Sequence, residues 1–162
     1  MGGPQGIERR VRVRDVEPDD LPIYFENQRD PVAVEMAAFP ARDHEAFTAH
    51  WSKILEDETT LTRTVLLDGE VAGSLMSWVA DDGREVGYWL GRSFWGKGVA
   101  TAALAAFLHE IDERPLFAHV ASHNIGSIRV LEKCGFTRTG QPILADDGVE
   151  ELVLVLRTKE DG

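Results

Sequence analysis

Polar and apolar positions alternate with period two over about seven stretches of this chain and recur at helical spacing between them. Residues 7–16 read as a strand. Val11 and Val13 share one face and Arg10, Arg12 and Arg14 the other, which suits an exposed edge. Helix-start signals follow over residues 15–20, with Pro18 near the first turn, and Leu21, Tyr24, Phe25 and Gln28 then recur at helical spacing. Residues 31–38 predict a second short helix. Asp43 is placed to cap a third, to about residue 57, that buries Phe47, Trp51, Ile54 and Leu55. The period then changes. Strands are predicted over 61–67, 70–80 and 85–91, with Asp68-Gly69 and Asp82-Gly83 at the two hairpin turns. A long helix over 97–112 carries the buried stripe Val99, Ala103, Phe107, Leu108 and Ile111. A strand over 115–122 leads to a helix opened by His123 or Asn124 and lasting to Cys134. Gly135 suits a left-handed cap, and Phe136 packs back on Leu131. A last hairpin, 137–144 and 149–157, turns at Asp147-Gly148.

This order places an antiparallel meander first and a strand–helix–strand crossover after it, and such crossovers make parallel pairs. The expected architecture is α/β: a mixed, mainly antiparallel central sheet of about seven strands with helices on both faces. Residues 1–162 are expected to form a single domain, with 1–6 a flexible leader.

The stretch from residue 83 to residue 105 organises the rest. Val86, Tyr88 and Leu90 point one way and Glu85, Gly87 and Trp89 the other, and a glycine turn, Trp95-Gly96-Lys97-Gly98-Val99-Ala100, then enters the long helix. The first N–H groups of a helix have no internal partner, and glycines let a phosphate approach the backbone. Lys97 adds charge. A P-loop is one reading, because Gly91 and the Gly96-Lys97 pair have its spacing, but Gly98 stands where a Ser or Thr must hold the metal. A plain connecting turn is another. The third is a pyrophosphate cradle that needs no metal. On those residues the chain resembles motif A of the GNAT superfamily, the acyl-CoA-dependent N-acyltransferases, with Trp95 in place of the usual Gln or Arg. The run from Gly87 to Thr101 looks like the branch typified by ribosomal-protein N-acetyltransferases. A second stretch, Asn124 to Phe136, resembles the Asn-x-x-Ser signature of the same branch, which ends in Glu-Lys-x-Gly-Phe.

The resemblance implies the GNAT fold and acetyl-CoA as cofactor, held by Trp89, Leu90 and Gly91, by Trp95, Gly96, Lys97, Gly98, Val99, Ala100 and Thr101, and by Asn124 and Ser127. It implies that the strands on either side of the long helix splay apart. It gives Ser127 the role of donor to the departing sulfur. Glu85 is the candidate base that frees the amine, directly or through a water; pairing with Arg84 or Arg63 is its structural alternative. Arg129 and Lys133 are either cofactor contacts or surface ion pairs. The implied reaction is direct transfer of acetyl to a primary amine, either a protein or peptide α-amine or a small molecule. The alternative is a non-catalytic acyl-CoA-binding sensor or scaffold.

Composition narrows the partners. The net charge of −11, from 28 acidic and 17 basic residues, argues against nucleic acid. Acidic residues gather at Glu17, Asp19, Asp20 and Glu26 and again at Asp146, Asp147, Glu150 and Glu151. A negative rim there would favour a cationic acceptor, a basic peptide first and a polyamine-like or aminoglycoside molecule second. No membrane partner is expected. A single Cys, Cys134, excludes an intramolecular disulfide and favours a cytoplasmic location. Its place on an apolar helix stripe reads as core. No metal site is expected, and His119 and His123 read as structural. Trp51, Trp78, Phe39 and Met36 are candidates for an acceptor pocket or for plain packing. An apolar edge at residues 152–156 would permit a homodimer.

Overall fold

The computed structural model describes residues 4–145 and 148–158. The first half of the expected leader, Met1 to Gly3, lies outside that range, as do Asp146 and Asp147 of the last predicted turn. A sheet of eight strands runs β1 (Val11–Arg14), β2 (Leu61–Leu67), β3 (Glu70–Ala80), β4 (Gly83–Leu90), β5 (Leu116–Ala121), β8 (Glu150–Leu156) and β6 (Thr137–Arg138), and β7 (Ile143–Leu144) also pairs with β8. Among the described residues only the β4–β5 pair is parallel. Helices α1 (Pro4–Arg10), α5 (Val99–His109) and α6 (Ile125–Lys133) cover one face, and α2 (Leu21–Arg29), α3 (Pro31–Ala37) and α4 (His44–Glu56) the other. No helix among the described residues is long and apolar enough to cross a membrane.

Local chemistry explains most element ends. The β2–β3 turn holds Asp68 and Gly69 at φ +52° and +82°, the doubly left-handed geometry that suits the sheet's twist. The Asp30 and Asp43 side chains cap α3 and α4 by accepting N–H bonds from Val32 and Ala46. Gly135, at φ +99°, ends the chain's last helix, and the Phe136 N–H donates to the Leu131 carbonyl. The stripe of α5 is buried as its periodicity predicts, and Phe107 is fully covered.

Several boundaries differ from expectation. The chain is helical at Pro4–Arg10, so the first strand starts at Val11 rather than at residue 7. Leu55 lies on the outer side of α4, not in its buried stripe. The stretch 137–144 is broken into β6 and β7, with Gly140 and Pro142 between them, and proline cannot donate to a ladder. Strand β8 lies inside the sheet between β5 and the β6/β7 pair, with Leu152, Leu154 and Leu156 buried, so those residues form no apolar edge for a second copy.

The two sheet faces have separate cores. The larger lies under α5 and α6; the smaller gathers Tyr24, Phe47 and Trp51 under α2 and α4. A buried polar group ties the smaller one to the sheet edge. The Asp20 carboxylate accepts two bonds from the Arg14 guanidinium (2.7 and 2.9 Å), one from the Thr64 hydroxyl (2.6 Å) and one from the Glu17 N–H (2.8 Å). The Thr64 hydroxyl also shares a bond with the Tyr24 hydroxyl.

Burial alone would raise the Asp20 pKa, but its donors outweigh burial and hold it below the ordinary carboxylate value. A depressed folded pKa adds stability that is complete above the unfolded value of about 3.9 and is lost as pH falls through the folded value. Asp20→Ala is therefore expected to destabilise by about 2–3 kcal/mol at pH 7, the scale of charged hydrogen bonds. The gap to wild type should close in acid. Urea unfolding at pH 7 and at pH 3 checks both.

Candidate active site

Strands β4 and β5 are paired only at Arg84–Leu116 and Glu85–Phe117, although β4 continues to Leu90 and β5 to Ala121. The implied splay is present, and two cavities meet in it. The first, about 420 Å³, opens among α2, α3 and α4 and runs through the sheet to Leu104 and Leu131 on the far side. The second, about 650 Å³, runs from the N-terminus of α5 along the β4 edge to α6. Both are lined by Ala37, Tyr88, Trp89, Asn124 and Ser127.

Most of the expected cofactor residues line the second cavity: Trp89, Leu90, Trp95, Gly96, Gly98, Val99, Ala100, Thr101, Asn124 and Ser127. Gly96 and Gly98 lie at φ +73° and +82°, which only glycine adopts readily. Gly98 is the helix cap, so α5 starts at Val99 rather than Lys97. The Trp95 indole N–H donates to the Leu90 carbonyl at 3.1 Å and so ties the turn to the end of β4. Arg129 and Lys133 also line this cavity, and neither makes an ion pair among the described residues. Two expected residues are not among the lining. Lys97 is exposed beside the turn. Gly91 is buried, and its N–H is already spent on the Ala72 carbonyl at 2.8 Å.

At the junction, the Tyr88 and Ser127 hydroxyls share a hydrogen bond of 2.9 Å. Burial raises the Tyr88 pKa, so the phenol stays protonated. Asn124 caps α6 by accepting the Ser127 N–H at 3.2 Å, which fixes the turn that carries Ser127.

Glu85 lines neither cavity. It pairs with neither Arg84 nor Arg63: Arg84 points to the other face and meets Glu113, and Arg63 meets Glu110 and Asp15. His119 stands between Glu85 and the first cavity. Its Nε2 is 3.7 Å from Glu85 and its Nδ1 is 3.6 Å from Glu151. His119 and Glu151 do line the cavity. Burial raises the Glu85 pKa, Glu151 and Asp82 add to the rise, and His119 opposes it. Sequence reasoning misses His119 as a site residue and names Glu151 only within the acidic cluster of the last hairpin, because metal-ligand spacing is the wrong question to ask of this histidine. Both residues break an otherwise apolar strand on the face that also carries Glu85, and that polarity is the available signal.

Of the acidic clusters, only Glu151 lines the first cavity among the described residues. Asp20 is buried against Arg14, Glu26 pairs with Arg29, and Glu150 meets Ser122. Asp146 and Asp147 lie outside the described residues. Trp51, Trp78 and Phe39 line the first cavity and Met36 the second. Cys134 is half-buried, and burial pushes its thiol up to about 11.

The family profile of the acetyltransferase (GNAT) domain matches residues 10–137. Over 95 residues the chain is 32% identical to a probable N-acetyltransferase, YjcK, of Bacillus subtilis (strain 168). That match covers 56% of this chain and 49% of the relative, so the chain spans about half the relative's length. Solved structures share the fold. A spermidine N-acetyltransferase from Vibrio cholerae, in complex with CoA and spermine, has a TM-score of 0.80 at 14% identity, covering 92% of this chain and 96% of that one. A GNAT-family acetyltransferase from Bacillus anthracis has a TM-score of 0.77 at 19% identity, over 91% and 95%. An aminoglycoside acetyltransferase in complex with coenzyme A has a TM-score of 0.74 at 21% identity, over 91% and 94%. The matched profile takes in the strand gap, the glycine turn and the Asn124–Ser127 corner, and the chain belongs to the GNAT acetyltransferase family.

Proposed function

We propose that this chain is an N-acetyltransferase that uses acetyl-CoA to acetylate a primary amine by direct transfer. One observation carries the reading: a cavity that starts at a helix N-terminus meets a second, separate cavity at Tyr88 and Ser127, in the gap between β4 and β5. The residues present fit the cofactor. Two left-handed glycines open the N-terminus of α5 to a pyrophosphate, and Arg129 and Lys133 add positive charge along the channel. When bound, acetyl-CoA supplies the acetyl group as a thioester.

The protein's own work is then positional and protonic. Trp89, Leu90 and Asn124 hold the pantetheine arm in the gap. Ser127 Oγ, fixed by the Asn124 cap and the Tyr88 hydroxyl, would donate a hydrogen bond to the thioester sulfur of bound acetyl-CoA. The amine's proton passes to the cluster of His119, Glu85 and Glu151. Glu85 and Glu151 flank the two ring nitrogens of His119, so the three groups share the proton; His119 and Glu151 line the cavity, and Glu85, which does not, acts through His119 as a positioning residue. The acceptor is a protein or peptide α-amine or a small-molecule amine; the solved structure in complex with CoA and spermine supports the small-molecule kind.

Glu85→Gln and His119→Gln are each expected to lower kcat by about 10²-fold or more, the scale of a general base. The double variant should lose little beyond either single one, because the two act as a unit. Both losses should shrink as pH rises toward the amine's own pKa. Full activity of His119→Gln from pH 6 to 9 would contradict the assignment.

Ser127→Ala should lower kcat with little change in the KM for acetyl-CoA, and Tyr88→Phe should do so less. Steady-state kinetics of CoA release separates the two effects.

Gly98→Trp should sharply weaken CoA binding in calorimetric titration while circular dichroism shows the fold retained. CoA binding by the wild type without release of CoA in the presence of any amine would favour a binding module instead.

A further inference from the structure

The first cavity has a chemistry of its own, which follows from how its polar groups are spent. The Gln28 amide donates to the Phe25 and Arg42 carbonyls and accepts the Arg42 N–H. The Trp89 indole N–H donates to the Asn27 carbonyl at 3.1 Å, and the Tyr24 hydroxyl is bonded to Thr64. These side chains therefore turn apolar surface to the space they line. Tyr24, Phe47 and Trp51 are packed ring against ring at one wall, with centroids 5.1 and 6.3 Å apart. Trp78 lies across Gly87 on β4, where a Cβ would come within 3.2 Å of the indole. Phe39, 48% exposed, lines the cavity with the Arg42 guanidinium 5.1 Å from its ring centroid.

Charge is scarce there: Arg42 and Glu151 are the charged side chains that line it among the described residues, beside two histidines. Burial, with Arg42 and Lys53 nearby, lowers the His50 pKa, so that ring stays neutral. Glu151 is the one carboxylate that lines the cavity among the described residues, and it faces His119. A second ammonium on the acceptor would be taken from water into an aromatic cavity, with Arg42 as a charged neighbour and with Glu151, the one lining carboxylate among the described residues, already turned to His119.

From this lining we infer that the acceptor is a monoamine borne on an aromatic or branched aliphatic body, not a polyamine or an aminoglycoside. The inference rests on the acetyltransferase reading and names its substrate class. The amine lies at the junction near Tyr88, His119 and Glu151, and the apolar body fills the space between Trp51, Trp78 and Phe39. A volume of about 420 Å³ takes an aromatic side chain with a short linker. Two sources present this chemistry: a small arylalkylamine, and a peptide whose first residue is large and apolar.

The test measures CoA release with phenethylamine, a Phe-Gly-Gly peptide, ethylamine, spermidine and kanamycin, alongside calorimetry with CoA. The expected kcat/KM for phenethylamine or for the peptide exceeds that for ethylamine by about 10–100-fold, the effect of burying one aromatic group. Which of the two leads identifies the source. Phe39→Ala, at a half-exposed position, should narrow the ratio of phenethylamine to ethylamine without lowering Tm. Turnover of spermidine or kanamycin at or above the aromatic amines overturns the inference and leaves the acetyltransferase reading standing. Equal rates on phenethylamine and ethylamine do the same. CoA binding with no turnover of any amine overturns the acetyltransferase reading, and this inference with it.

Discussion

The parting of β4 from β5 is the constraint on which the rest depends. A parallel pair that closed along its whole length would bury Tyr88 and seal the sheet. Here pairing stops at Glu85–Phe117, and the remaining backbone of β4 has β3 on one side and open space on the other. The gap lets one cavity reach the other through the sheet. It also places a residue of the β4 strand, Tyr88, against the first turn of α6, where the two hydroxyls bond. Unpaired strand backbone is costly when buried, so a gap of this kind persists where something polar can occupy it.

Around the gap, the fold is pinned from several directions. Arg92, just after β4, pairs with Asp30 at the head of α3 at 3.0 Å, and His123, just after β5, bonds the Glu35 carbonyl near the end of α3 at 3.0 Å. Helix α3 thus spans the opening between the two strands. The Arg14–Asp20–Thr64–Tyr24 network does the same for α2, coupling the acceptor side to the β1–β2 edge. The preorganisation is therefore built into helices and strands instead of loops, which keeps the reacting groups in place.

Much of this is legible in the chain. The β2 and β3 bounds match their alternation, the Asp30 and Asp43 caps match their side-chain chemistry, and the glycine turn and the Asn124–Ser127 corner line one cavity as their motifs imply. What escapes a reading of the chain depends on long-range placement. The proposed role of His119 requires knowing that β5 sets it between Glu85 on β4 and Glu151 on β8, residues far apart in sequence. Asp20 drops out of the expected acidic rim for the same reason, since composition counts it as a surface charge and the fold buries it against Arg14. The helix at Pro4–Arg10 lacks a strong apolar period, and its Ile7 side chain packs against the larger core. The apolar run of β8 resembles an edge because sequence order puts it last, whereas the sheet order puts it inside.

The central claim is that transfer takes place in the gap between β4 and β5. A crystal structure of the complex with CoA tests it most directly. The pyrophosphate is expected on the turn from Gly96 to Ala100, the pantetheine arm along the open edge of β4, and the sulfur within hydrogen-bond reach of Ser127 Oγ, facing the aromatic cavity. A sulfur that lies outside the gap, or an arm that follows another groove with β4 and β5 closed together, would contradict it.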